Sequence, residues 1–383
     1  MSQPFSAGQY WMCLEIIAED GSLVIARVRL PRHPDTAPTI SQADEEYAIA
    51  CEVATMNFVK RNLPTIRIPA VYAYEGPGSQ LATDVGAVYM LLEGFYGNTL
   101  QDVKFDMCDL PVATQEHIIT QWTKVQAEIA SLAYSHIGST SSISAAGEPV
   151  IGRLATASAE GLKSHGPFST SVEYFTAVAD AAVDNLKLSA TDSKDVATFA
   201  TLGTLVFRDI VRITTLFHDI DLHGRFPLNH MDLGAQNILV DDEFNIQAII
   251  DWEFAQTAPW QVNHYPFPFP RLSTDDRIKE ILGNPDDVAH KNVLRQIFAQ
   301  RSYVDKFRDA EAELEKRGQA LGGSFAAIME SPASRIYGYF AQLGRMPDSD
   351  ISFVREMVRL AFGLDAAGTE RYLGEMQDKL GAK

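Results

Sequence analysis

The stretch "LNHMDLGAQNILVDDEFNIQAIIDWE", residues 228–253, decides how this chain reads. Three polar residues, Asp232, Asn237 and Asp251, stand around two short aliphatic runs, 238–240 and 246–250. The segment "DDEFN" between the runs is turn chemistry, because Asp and Asn side chains bond nearby backbone and tolerate left-handed conformations. The two runs therefore predict a β-hairpin. Its first strand leaves Asn237 and its second returns to Asp251, so these side chains meet at the open end. Asp232 falls in the loop just before it.

A carboxylate, an amide and a second carboxylate gathered in this way suit phosphoryl transfer from a metal-bound nucleotide. Magnesium takes oxygen ligands: Asp251 can hold it, and the Asn237 carbonyl can help to complete the shell. Asp232 can orient a substrate hydroxyl and accept its proton. A plain hairpin with solvated ends is the competing reading, and any one of the three residues alone fits it. The set HxDxxxxN, two strands and a strand-terminal Asp argues for chemistry.

Bulk properties agree with a folded protein. The chain has 383 residues, 46% hydrophobic and 21% charged. That length predicts two or three domains, or one large two-lobed unit. The formal net charge of -18 argues against nucleic acid or an anionic membrane as partner. A nucleotide remains compatible, since a divalent metal supplies positive charge. The cysteines Cys13, Cys51 and Cys108 are odd in number, widely spaced and lack a CxxC pair. They predict neither a disulfide framework nor a zinc site, and a reducing, cytoplasmic setting. The first residues lack a basic region followed by an apolar run, and no apolar stretch reaches the roughly 18 residues of a spanning helix.

Patterning divides the chain. "CLEIIAEDGSLVIARVRL" predicts a hairpin about Asp20-Gly21. "SQADEEYAIACEVATMNFVKRN" carries a helical stripe through Tyr47, Cys51, Ala54 and Phe58. "IPAVYAYEGPG" and "GAVYMLLEGF" predict strands, the second apolar enough for burial on both faces. Helices follow: Ile118, Trp122, Val125, Ile129 and Leu132 share one face, and further helices are predicted at about 171–187, 194–217 and beyond 284, with breaks near Gly322-Gly323 and Pro347. A small strand-rich lobe thus precedes a large helical one, joined near residues 93–97.

"HMDLGAQNILV" with "AIIDWE" resembles the catalytic signature of the aminoglycoside phosphotransferase and choline kinase-like family, relatives of the protein kinases, whose own version is H-R-D-L-x-x-x-N followed by D-F-G. The resemblance implies an α+β, bilobal protein-kinase-like fold: an antiparallel-sheet N-lobe over residues 1–95 and a mainly helical C-lobe over 96–383. It implies an ATP- and Mg2+-dependent kinase acting on a hydroxyl of a small-molecule acceptor. Asp232 is then the catalytic base, Asn237 and Asp251 the metal ligands, and His230 a brace for the loop. "LVIARV" takes the place of V-A-I-K, with Arg27 for the lysine and Glu52 of "CEVATM" as its ion-pair partner, expected to be partly exposed. "LLEGFYGNTL" resembles the hinge between lobes: Leu92 lines the back of the adenine pocket, and backbone groups of Glu93 and Phe95 bond the base. Gly8 is the glycine available to the phosphate-covering turn, which is short here.

Other readings compete. Arg27–Glu52 can be two unrelated surface charges, and "LLEGFYG" a strand end with a glycine turn. A nucleotide-binding or regulatory module without phosphoryl transfer is motivated by the short segment before the Arg27 strand. A metal-dependent hydrolase is motivated by His218, Asp219, His223 and His230, although a Gly-Arg-Phe-Pro break interrupts them. Asp275 and Asp276 are candidates to face a cationic acceptor, or else belong to a solvated loop. GxSxG, Walker and HExxH patterns are absent, which leaves acyl transfer, P-loop and zincin chemistry without support.

Overall fold

The computed structural model describes residues 6–7, 10–30, 40–189, 199–218, 224–266, 273–345 and 347–381. Strand β1 (Ser6–Ala7) pairs with β2 (Trp11–Ile17), and β2 with β3 (Leu23–Arg29). The β2–β3 turn uses Gly21 at φ +84°, and the Asp20 side chain accepts from the Ser22 amide at 2.9 Å. Helix α1 (Gln42–Asn62) follows, capped by Ser41, with Asp44 and Glu45 in its first turn and Lys60 and Arg61 in its last. Each sign lies at the helix end that favours it. Ile49, Val53, Met56 and Val59 bury its inner face.

Strand β4 (Val71–Glu75), helix α2 (Gln80–Val85) and strand β5 (Tyr89–Glu93) complete the lobe. The sheet order is β1-β2-β3-β5-β4. One expectation is corrected and one element is new. Only Met90 and Leu92 of β5 are buried and the alternate residues are half-buried, because the sheet is covered on one face. Helix α2 was not expected. Ser79 and the left-handed Gly86 cap it, but six residues are too few to show a period.

Strand β6 (Asn98–Thr99) leads through α3 (Leu100–Val103) to α4 (Val112–Ala130). Ile118, Trp122 and Ile129 of the predicted face are buried in α4, with Val125 and Leu132 packed beside them. Strand β7 (Ala133–Tyr134), the hairpin β8 (Thr140–Ile143) and β9 (Pro149–Ile151), and helices α5 (Ser171–Ser189) and α6 (Phe199–Ile213) come next. The first part of the helix expected at 194–217 lies outside the described residues.

Strand β10 (Phe226–Asn229), the pair β11 (Ile238–Val240) and β12 (Ile246–Ile249), and β13 (Gln256–Thr257) form two small three-stranded sheets with β7 and β6. The rest is helical: α7 (Asp275–Gly283), α8 (His290–Lys316), α9 (Phe325–Met329), α10 (Pro332–Phe340), α11 (Pro347–Phe362) and α12 (Ala366–Gly381). The break expected near Pro347 is present, between α10 and α11, and Pro347 opens α11, as its fixed φ and missing N–H allow at a first turn. One core joins the β-sheet and α1 to α4 and α8. A second, around Phe175, Phe207, Phe217 and Ile336, joins α5, α6, α10 and α11. Among the described residues no helix is long and apolar enough to cross a membrane.

Candidate active site

The predicted hairpin is present, with Ile238 opposite Ile249 and the Ile250 amide bonded to the Asn237 carbonyl at 3.0 Å. Its mouth therefore holds Asn237 and Asp251 side by side. The fully buried strand β10 delivers the preceding loop. Within it Met231 adopts φ +64°, and so does Asp251 at the other end of the block. Such backbone is costly for Met231, and persists where the surroundings over-determine it, whereas aspartate tolerates it.

His230 ties these two segments together. Its ring is buried and lies 4.7 Å from that of Trp252. Nε2 stands 3.0 Å from the Ile250 carbonyl, which can only accept, so Nε2 carries the proton. Burial pulls the imidazole down to about 4, so it is neutral near pH 7. One hydrogen bond and one ring contact thus link His230 to the segment around Asp251.

Asp232 is half-buried. The Asn237 amide donates to its backbone carbonyl at 2.8 Å and to Oδ2 at 2.9 Å, and Gln236 donates to Oδ1 at 3.1 Å. Desolvation raises its carboxyl above the ordinary range, against the pull of these two donors. Raised basicity suits a proton acceptor. Both donors of the Asn237 amide face Asp232, which leaves the amide oxygen as the group able to meet a cation.

Arg27 closes the site from the sheet. Its Nη1 lies 2.6 Å from Glu52 Oε1 and its Nη2 3.0 Å from Asp251 Oδ1. The expectation of a partly exposed pair is corrected: the Arg27 and Glu52 side chains are 8% and 2% exposed. Burial opposes the guanidinium charge, but Glu52, Asp251 and Glu253 together hold it well above its ordinary value.

Three further residues join the cluster. The Trp11 ring carries the Arg27 guanidinium at 4.7 Å and that of Arg29 at 4.9 Å, and its indole N–H donates to Glu253 at 3.3 Å. Arg29 also meets Glu45 at 2.7 Å and Glu253 at 3.7 Å. Burial, with Asp251 and Glu52 adding, pushes the Glu253 carboxyl up to about 7. Trp11 and Glu253 were missed because they lie far apart in sequence. The available signal was register, since Trp11 pairs with Arg29 across β2–β3.

At the hinge, Leu92 is buried. The Glu93 amide donates to the Ala70 carbonyl at 2.8 Å, and its carboxylate accepts from Lys60 at 2.9 Å and from the Ala70 amide at 3.0 Å. Phe95 is half-buried. Gly97 has φ +147°, and a Cβ there would come within 2.7 Å of the Val240 carbonyl oxygen, so a side chain would clash with the backbone. Gly8 lies outside the described residues.

Among the described residues nothing supports the hydrolase reading. Asp219 and His223 lie outside the described residues, and His230 is committed to Ile250 and Trp252. Among the described residues no group of three or more His, Cys, Asp or Glu side chains could hold a metal. A cation at Asp251 and Asn237 would complete its shell with oxygens of a bound ligand or of water. Asp275 is drawn off by Arg335 at 2.9 Å and Arg359 at 3.7 Å, and Asp276 lies 3.8 Å from Lys279.

The sequence matches the model of the phosphotransferase enzyme family, APH, over residues 19–262. No curated protein sequence matches it at a significant level. Among solved structures, a candidate fructosamine-3-kinase from Thermobifida fusca is similar with a TM-score of 0.50 and 13% identity, covering 94% of this chain and 93% of that one. A type I macrolide 2'-phosphotransferase is similar with a TM-score of 0.43 and 12% identity, covering 95% and 90% of the two chains. For the ADP-bound aminoglycoside phosphotransferase APH(2'')-Ib the values are 0.42, 11%, 94% and 93%. At such identities the likeness concerns the fold, which is bilobal, α+β and protein-kinase-like. The family match spans well over half of the chain, and the chain belongs to the phosphotransferase enzyme family and is a kinase.

Proposed function

We propose that the protein transfers the γ-phosphoryl group of ATP to a hydroxyl of a small-molecule acceptor. The observation that carries this reading is the joint placement of Asp232, Asn237 and Asp251, with Arg27 anchored beside them by Glu52. The acceptor hydroxyl gives its proton to Asp232, whose burial favours taking it. The freed oxygen bonds to the γ-phosphorus while the bond to the β–γ bridging oxygen breaks, and ADP leaves. Asp251 and the Asn237 oxygen are the donors for magnesium, which neutralises phosphate charge when bound. Arg27 offers a planar fork to the α- and β-phosphates.

In this reading residues through 95 cover the nucleotide, and 96–383 carry the catalytic loop and the acceptor pocket. Leu92 forms the back of the adenine pocket. The Glu93 amide is engaged with Ala70, so its carbonyl and the Phe95 amide are the backbone groups for the base. A nucleotide-binding module without transfer is the second reading. It rests on the Arg27–Asp251 contact, which puts a protein cation on the carboxylate that the metal needs.

Thermal melting with ATP and magnesium, with GTP in parallel, tests nucleotide binding. Occupancy at a hundredfold excess over Kd stabilises by about 2.7 kcal/mol. ATP consumption over a panel of amino sugars, amino alcohols and other hydroxyl compounds then separates the two readings. No melting shift at millimolar nucleotide counts against both.

A further inference from the structure

Helix α1 is fastened to the carboxy-terminal lobe as well as to its own sheet. Arg153, two residues beyond β9, holds Asp44 of the first turn with Nη2 at 2.8 Å. The same guanidinium lies 4.2 Å from the Tyr47 ring centroid, and the Tyr47 hydroxyl donates to the Arg153 carbonyl at 2.9 Å. The β8–β9 hairpin runs along the helix. A Cβ on Gly152 would meet the Tyr47 hydroxyl at 2.5 Å, and one on Gly147, at the hairpin turn, would meet the Arg61 guanidinium at 2.7 Å.

The hairpin is rooted beside the catalytic segments. The Gly138 amide donates to Thr257 Oγ1 at 2.9 Å, and the Thr257 amide returns a bond to the Gly138 carbonyl at 2.9 Å. Thr257 pairs with Leu228 of β10, the strand that leads into Asp232. A line of direct contacts thus joins the helix bearing Glu52 to the strand before Asp232, and it bypasses the hinge at 93–97. Glu52 sits eight residues beyond Asp44, about 12 Å along the axis.

We propose that Arg153 is a positioning residue: through the β8–β9 hairpin it holds α1 against the catalytic lobe, so that Glu52 keeps Arg27 aimed at the nucleotide phosphates. This rests on the reading of Arg27 as a phosphate ligand. The Arg153 and Asp44 side chains are 29% and 23% exposed, and a pair so exposed adds little to global stability. Its loss should therefore appear in nucleotide affinity and not in melting.

The test uses the full chain, with calorimetry of ATP in the presence of magnesium and a melting curve for each variant. Arg153→Ala should weaken ATP binding about threefold to tenfold, the scale of one partly exposed ion pair with a cation–π contact, while melting stays close to wild type. Arg153→Lys should retain most of the affinity. The reversal Asp44→Arg with Arg153→Asp should recover most of what Arg153→Ala loses. Wild-type affinity in Arg153→Ala overturns the proposal. So does an equal loss in Arg153→Lys, or a reversal no better than Arg153→Ala. Arg27→Ala separates the two claims. Wild-type affinity there removes the phosphate reading and this proposal together, whereas loss in Arg27→Ala beside wild-type affinity in Arg153→Ala removes only the role of Arg153.

Discussion

One guanidinium joins Glu52 of α1 to Asp251 at the end of the catalytic hairpin: Arg27 reaches the first at 2.6 Å and the second at 3.0 Å. A planar fork can face two carboxylates at once, which an ammonium on the same strand would do less rigidly. The contact also sets an order of exchange. In the proposed reaction a metal bound at Asp251 would take that carboxylate from Arg27, while Glu52 would keep Arg27 in place.

The division of labour between the two aspartates is the first consequence to check. Asp251→Ala is expected to abolish magnesium-dependent ATP binding. Asp232→Asn should bind ATP normally but turn it over about a hundredfold or more slower, the scale of a lost general base. Calorimetry gives the binding and ATP consumption the rate. Equal loss of binding in both variants would show the roles to be misassigned.

The burial of the Arg27–Glu52 pair alters what its loss should do. Removing one partner of a buried pair costs about 3–5 kcal/mol, here partly offset by Asp251. Glu52→Ala should therefore lower the urea midpoint clearly as well as slow turnover. Arg27→Lys should keep partial activity, and Arg27→Ala should lose a factor of about ten or more, as for a charge-assisted contact of about 1.5–3 kcal/mol. An unchanged urea midpoint in Glu52→Ala would contradict the buried geometry.

His230 gives a pH dependence of definite sign. Its folded value of about 4 lies below the ordinary 6.5, so the unfolded chain takes a proton before the folded one does. Its contribution to stability is complete above about pH 6.5 and is lost as pH falls towards about 4. His230→Asn should be less stable at neutral pH yet lose less on acidification. Melting curves across that window measure both, and parallel curves would count against a neutral buried imidazole.

Gly97 can be tested by itself. At φ +147° and with the Val240 carbonyl so near, Gly97→Ala is expected to cost about 1–3 kcal/mol, the scale of enforced backbone strain. Urea denaturation reads this directly, and a neutral substitution would mean that the hinge relaxes freely.

Much of this was legible because the signals are local. The helix α1, the Asp20-Gly21 turn and the spacing from His230 to Asp251 each lie within one or two elements, where side-chain period and turn chemistry act, although the stripe expected through Tyr47 and Ala54 is only half-buried there and the core face runs through Ile49, Val53, Met56 and Val59. What was not legible depends on tertiary contact. The strands β8 and β9 have four and three residues, too few for a pattern, and nothing in "SSISAAGEPVIG" announces a partner in α1. Trp11 and Glu253 meet across 242 positions. The depth of the Arg27–Glu52 pair was misjudged because α1 and the sheet enclose it jointly, and neither segment alone carries that information.

The left-handed backbone at Asp251 limits how this gene can drift. With φ at +64°, the position admits glycine, asparagine or aspartate at little cost, while other side chains are penalised by roughly 1–2 kcal/mol. Of those three only aspartate carries a charge. Loss of selection for catalysis would thus leave selection for folding in force, and the commonest inactive descendants should bear asparagine or glycine at this position. A paralogue carrying Asp251→Asn would be a well-folded relic, recognisable as such before any assay.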